Sequence, residues 1–159
     1  MKARSQVKKA GIVRVVLPIL FGGLIYCSLR NSKLALFQLI HGSTLDRLML
    51  SLQRISSPIA GLSPEWFSQS LPDALWSYAC VSFVLICWRG ESSFYRGLWL
   101  CFAVILSLGF EVGQLLNLVP GTFCFHDFLF SIIAIAIALL TEAARKTPVK
   151  AHMASVPLG

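Results

Sequence analysis

Four long apolar runs, at residues 11–29, 71–88, 97–116 and 128–144, leave this chain few ways to fold. Each approaches the roughly 17 to 25 residues that a helix needs to cross about 30 Å of hydrocarbon at ~1.5 Å per residue. A membrane barrel would instead need strands of about 10 residues that alternate polar and apolar, and these runs do not alternate. The chain is 56% apolar with a mean hydropathy of +0.73, above the roughly 45–50% apolar share of soluble domains. The reading is an all-α polytopic membrane protein of four transmembrane helices in one membrane domain, residues 1–159. The fourth run closes on Thr141 and Glu142, which mark an interface.

A net charge of +7 does not point to nucleic acid here, because the basic residues fall in and around the ends of the runs and divide unequally between the two sides. With the N-terminus in the cytoplasm, Lys2, Arg4, Lys8, Lys9, Arg14, Arg89, Arg96, Arg145, Lys146 and Lys150 fall inside, and Arg30, Lys33, Arg47 and Arg54 outside. The positive-inside rule then places both termini in the cytoplasm, with the protein in the inner (plasma) membrane. The connection at residues 117–126 has no Lys or Arg, as expected of an external loop. A cleaved signal peptide is the competing reading of residues 1–30. It is the weaker one, since the apolar run is long for a signal core and Cys27-Ser28-Leu29-Arg30 is no small-residue cleavage site.

Residues 31–70 form an external segment too long for a turn and too apolar for a flexible linker. Within it Leu45, Leu48, Met49, Leu52 and Ile55 recur at helical spacing, with Asp46, Arg47, Ser51 and Arg54 largely off that stripe. Such a helix either rests in the interface with its apolar face down or packs on the bundle as a lid. Pro58, Gly61 and Pro64 break the pattern, and Trp66 and Phe67 read as interfacial anchors.

Glu111 lies deep in the third run, at a depth where an ionisable side chain costs kilocalories unless it faces protein or water. At about 100° per residue, Gly109 and Gly113 fall on one side of that helix and Glu111 and Gln114 on the other. The GxxxG pair predicts close helix approach, with Ser131, Ala134, Ala138, Gly22 and Gly23 as small partner surfaces, and two protein-facing sides predict a central helix. Topology brings Glu111, Gln114, Asn117, His126, Asp127 and Asp73 to the outer side, Asp73 and Asp127 at the starts of the second and fourth helices. Such a set can bind a cation, hydrogen-bond a sugar or peptide, or shuttle protons. The bland alternative is a hydrogen-bonded network, with the two aspartates capping their helices. Five cysteines make no disulfide framework, with Cys27 and Cys124 the one external pair. No CxxC, HExxH, glycine-rich phosphate loop or GxSxG motif supports a metal or cofactor, so none is expected.

At these residues the chain resembles a known family. Glu111-x-x-Gln114, then Val119-Pro120-Gly121-Thr122-Phe123 and Asp127, is similar to the C-terminal half of the VanZ-like membrane proteins, and Asp73 fits the acidic residue of their earlier motif. The resemblance covers residues 71–140. It implies a related fold and a link to the cell envelope and to resistance against the glycopeptide antibiotic teicoplanin, with no agreed reaction. This chain has Thr122 where the family commonly has Arg, Ser131 and Ala134 where Asn and Gly follow the Asp, and Ser77 in place of a His. Loss of the Arg removes the obvious partner for the carboxylates.

The expected role is recognition or shielding of a membrane lipid or cell-envelope ligand by an outward-facing polar pocket of Asp73, Glu111, Gln114 and Asp127, with His126 and Asn117 beside it. The alternatives are an intramembrane enzyme with Glu111 or Asp127 as acid or base and His126 assisting, and a small accessory subunit. Four helices bury little surface, so a homodimer or membrane-protein partner is also expected.

Overall fold

The computed structural model describes residues 2–29, 44–60, 63–89 and 93–146, with side-chain detail from Gly11 onward. It is all helical over these residues: α1 (Lys2–Leu29), α2 (Thr44–Ala60), α3 (Glu65–Cys87), α4 (Phe94–Leu115) and α5 (Phe125–Lys146). Four stretches are long and apolar enough to cross a membrane, Gly11–Leu29, Trp66–Cys87, Phe94–Leu115 and Phe125–Arg145. The chain is thus an all-α, multi-pass membrane protein. Residues 31–43 of the external segment, and the side chains of Leu45, Asp46 and Met49, lie outside what is described.

The central helix is α3, not the glycine-bearing α4. Half of the α3 span is buried against 11% of the α4 span, and α3 packs most extensively, against α5 and α1. The reason is a seam of small residues. Ser70, Ala74, Ser77 and Val81 recur every three or four positions on α3, facing Asp127, Ser131, Ala134 and Ala138 on α5, and all eight are buried. Without a hydrophobic drive between helices in lipid, such close backbone approach gains van der Waals contact. The small surfaces of α5 therefore do pack closely, but against α3 and not against the glycine-bearing α4 for which they were expected.

The expected GxxxG contact does not form. No atom of another helix lies within 4 Å of a Cβ built at Gly109, while one at Gly113 would stand 2.8 Å from Cγ2 of Val119, in the loop that follows the same helix. Gly113 is small to seat its own returning loop. Gly22 makes the interhelical approach instead: a Cβ there would stand 2.7 Å from Nε1 of Trp76 and 3.2 Å from the Pro72 carbonyl oxygen. With Gly11 against Ile86 and Gly22 against Pro72, α1 and α3 run antiparallel.

Helix α3 begins eight residues before Asp73, so Pro72 and Asp73 lie inside it and Pro64, not Asp73, is its N-cap. Pro72, lacking an N–H, breaks one rung of the helix and is fully buried where α1 crosses. Helix α4 ends in a Schellman turn: Asn117, at φ 56, donates to the Gln114 carbonyl at 3.1 Å, and Leu118 to that of Gly113 at 2.8 Å. Asn tolerates this left-handed position better than most residues. Helix α2 docks on the end of α1, where Ser56 Oγ donates to the Ser28 carbonyl at 2.7 Å and Gln53 Nε2 to that of Cys27 at 3.4 Å.

The apolar core occupies one half of the bundle only. Val81, Val84 and Leu85 of α3, Ala103 of α4, and Ile135 and Ala138 of α5 form it. The other half, toward Ser70 and Asp127, is hollow.

Candidate functional site

That hollow is a cavity of about 860 Å³ between α1, α3, α4 and α5, within the range of small-molecule sites. Its wall is unusually polar for a membrane interior, bringing Asp73, Ser77, Ser107, Glu111, Gln114, Thr122, Asp127 and Ser131 to one surface. Four of the six residues expected at the site line it together. The other two do not. Asn117 is exposed and serves as the left-handed cap of α4, and His126 is exposed with its ring edge-on to Phe125. Topology brings both to the level of the cavity, but each is exposed and neither belongs to its wall.

Each of two carboxylates has a neutral donor. Ser70 Oγ donates to Asp127 Oδ1 at 2.5 Å, and both residues are buried. The backbone N–H of Cys124 donates to Glu111 Oε2 at 3.1 Å. Cys124 is the N-cap of α5, since its carbonyl accepts from Phe128 N–H. Glu111 thus faces the positive end of the helix dipole and satisfies an otherwise orphan N–H. Asp127, in the first turn of α5, benefits from the same field. Capping was expected of the aspartates; the residue that fills that role for α5 is Glu111, from a neighbouring helix.

Gly121 closes the wall. Its φ of 140° suits glycine, and a Cβ there would stand 2.9 Å from Cδ of Gln114, so the turn lies directly on the Gln114 side chain. Gln114 Oε1 is buried and accepts no hydrogen bond among the described residues. Tyr26 and Trp76 add an aromatic pair to the wall, ring centroids 5.5 Å apart. Among the described residues no Lys, Arg or His lines the cavity, and no cluster of three His, Cys, Asp or Glu suited to a metal occurs. Cys27 and Cys124 are both free thiols.

A second polar constellation sits at the opposite end of the bundle. Arg89 forms a bidentate pair with Glu142, Nε to Oε1 at 2.9 Å and Nη2 to Oε2 at 2.7 Å. Arg14 Nη1 stands 3.6 Å from the same carboxylate, whose side chain is 4% exposed, and Arg14 Nε donates to the Tyr78 hydroxyl at 3.3 Å. The hydrogen bond to Glu142 holds the Arg89 guanidinium above its ordinary pKa despite partial desolvation. Arg14 and Arg89 read in the sequence as topological charge and Glu142 as an interface marker. The signal that could have found the cluster was an Arg inside the first run and a Glu inside the fourth, at matching depth.

Comparison with protein-family models, curated proteins and solved structures finds no match for this chain.

Proposed function

We propose that this chain is a VanZ-like, non-enzymatic membrane protein that recognises or shields a lipid or cell-envelope ligand in an outward-facing polar pocket. One observation carries the reading: a cavity of about 860 Å³ lined by Asp73, Glu111, Gln114 and Asp127, inside a bundle of membrane-spanning helices. Polar groups at membrane depth are costly and stay where they meet a ligand, water or one another. A network that served only packing would close on itself, as Arg14, Arg89 and Glu142 do. The placement of Glu111 and Asp127 favours recognition over acid–base chemistry, because their known donors are a backbone N–H and a serine hydroxyl and the exposed His126 is not at the wall.

The pocket faces outward if the charge bias sets the topology. In a chain with its five native cysteines replaced by alanine, Asn117→Cys should react with an impermeant maleimide added to whole cells, and Ser92→Cys only after lysis. The reverse pattern would turn the pocket to the cytoplasm. Mass spectrometry of the lipids that co-purify with wild type, Glu111→Gln and Asp127→Asn tests recognition itself. A species enriched with wild type and depleted from both variants is the expected result. An identical lipid profile for all three would reject the reading.

A further inference from the structure

The ion pairs around Glu142 close on that carboxylate and leave positive charge over. Arg89, just past α3, pairs with it bidentately, and Arg14 of α1 stands 3.6 Å away. Arg145 follows it by three residues on the same face of α5. Arg145 is exposed, is near enough to act on the charge of Glu142, and among the described residues forms neither hydrogen bond nor ion pair. One carboxylate offsets one of these three cations. The surrounding sequence adds little negative charge. Across the first half of α1, the connection from α3 to the start of α4, and the end of α5 with the tail beyond it, ten Lys and Arg stand against two acids, Glu91 and Glu142.

The three guanidiniums sit where hydrocarbon gives way to lipid heads. Arg14 is in the first turn of the Gly11–Leu29 span, Arg89 lies just beyond Trp66–Cys87, and Arg145 closes Phe125–Arg145. Trp88, half-buried, and Tyr95, exposed, belong to the same end, and such side chains settle at the headgroup level. A surplus cation at that depth is short of water and draws an anion. Arg89 is open to receive one: it spends Nε and Nη2 on Glu142, keeps the N–H groups of Nη1, and has a side chain 29% exposed. Arg14 differs, because its Nη1 is buried without a hydrogen bond. It contributes charge from behind and no contact.

At this level the bilayer supplies phosphate, whose oxygens match the fork of a guanidinium. A zwitterionic head also carries an ammonium, which the same surplus repels, so a head of net negative charge fits better. We propose that Arg89 and Arg145, backed by the buried charge of Arg14, form a site for the phosphate of an anionic phospholipid at the Glu142 end of the bundle. The site lies away from the cavity, and neither reading depends on the other.

The test offers full-length protein, stripped of lipid in dodecylmaltoside, equal concentrations of dioleoyl phosphatidylglycerol and dioleoyl phosphatidylcholine. Size exclusion removes unbound lipid, and mass spectrometry quantifies what is retained. Wild type should prefer the glycerol lipid, and Arg145→Gln should cut that preference about fivefold, the worth of one cation near a lipid surface. Arg145 lies outside the ion pairs, so the variant should keep its helical circular dichroism. Lys150→Gln removes an equal charge further along the tail and should change the preference by less than about twofold. Glu111→Gln, in the cavity, should leave it unchanged. Excess inorganic phosphate, compared with sodium chloride at the same ionic strength, should not release the lipid, because the acyl chains hold the head in place. No preference for the glycerol lipid in wild type overturns the proposal. Equal losses from Arg145→Gln and Lys150→Gln overturn the site in favour of diffuse attraction to the basic end. Loss of the preference in Glu111→Gln moves the lipid to the cavity and likewise overturns it. Release by inorganic phosphate makes a free anion the ligand and overturns the lipid source.

Discussion

The two ends of helix α5 carry the same kind of residue and solve the same problem differently. Glu142, near its C-terminal end, is answered by two guanidiniums, Arg89 and Arg14. Asp127, in its first turn, is answered by the Ser70 hydroxyl, with Glu111 nearby answered by a backbone N–H. Around Glu142 the helices close on a packed apolar core; around Asp127 they leave the cavity of about 860 Å³. A carboxylate with cations bound is finished, and the structure can seal over it. One held by neutral donors still attracts positive charge. The difference separates a clasp from a receptacle.

The largest expected effect comes from breaking the clasp. Glu142→Ala strands two partly buried guanidiniums, and removal of one partner from such a pair costs about 3–5 kcal/mol. Asp127→Ala leaves behind only a serine hydroxyl, for a loss of about 1–2 kcal/mol. Unfolding by sodium dodecyl sulfate titrated into dodecylmaltoside micelles measures both. Equal costs at the two positions would remove the distinction between the two ends.

The next effect concerns what holds the hollow half together without a core. Gly22→Val drives a side chain into Trp76 and the Pro72 carbonyl, and the backbone atom cannot swing aside. A loss of about 1–3 kcal/mol is expected, typical of overpacking. Gly23→Val meets nothing within 4 Å and should stay within about 0.5 kcal/mol of wild type. Equal costs for the two would show that α1 and α3 do not approach closely at Gly22.

Much of this was legible in the sequence. Runs of 17 or more apolar residues fix the four spans by length alone, and an even number of crossings brings Asp73, Glu111, Gln114 and Asp127 to one end. Side-chain direction was harder to read. Asn117 and His126 stand within a few residues of Gln114 and Asp127, yet Asn117 is taken up by the left-handed cap of α4 and both are exposed and absent from the wall. The central helix is obscure for a similar reason: GxxxG in α4 is conspicuous, while the seam of Ser70, Ala74 and Ser77 lies in a helix that starts six residues before its apolar run. The α1 residue Gly22 was recognised as small, but what it admits, a proline carbonyl on α3, depends on a crossing that no single segment encodes. The Arg14, Arg89 and Glu142 cluster joins three segments across 128 positions of sequence, so each member looked like ordinary flanking charge.

The smallest effect sharpens the comparison most, because it converts one end toward the other. Thr122 lines the cavity at the position where an arginine would bring a cation to the carboxylates. Thr122→Arg brings to Glu111 and Asp127 a cation of the kind that Arg89 supplies to Glu142, and the desolvation cost of the new charge offsets most of its attraction. A net stabilisation of about 1 kcal/mol is expected in the same unfolding titration, with at least a tenfold fall in retention of the lipid that co-purifies with wild type. Thr122→Gln adds comparable bulk without charge and should change neither by more than about 0.5 kcal/mol or twofold. If Thr122→Gln blocks retention as well as Thr122→Arg does, occlusion explains the loss and charge does not. If Thr122→Arg destabilises the protein while retention stays intact, the carboxylates have no uncompensated demand for a cation. The hollow end would then differ from the clasp in packing alone.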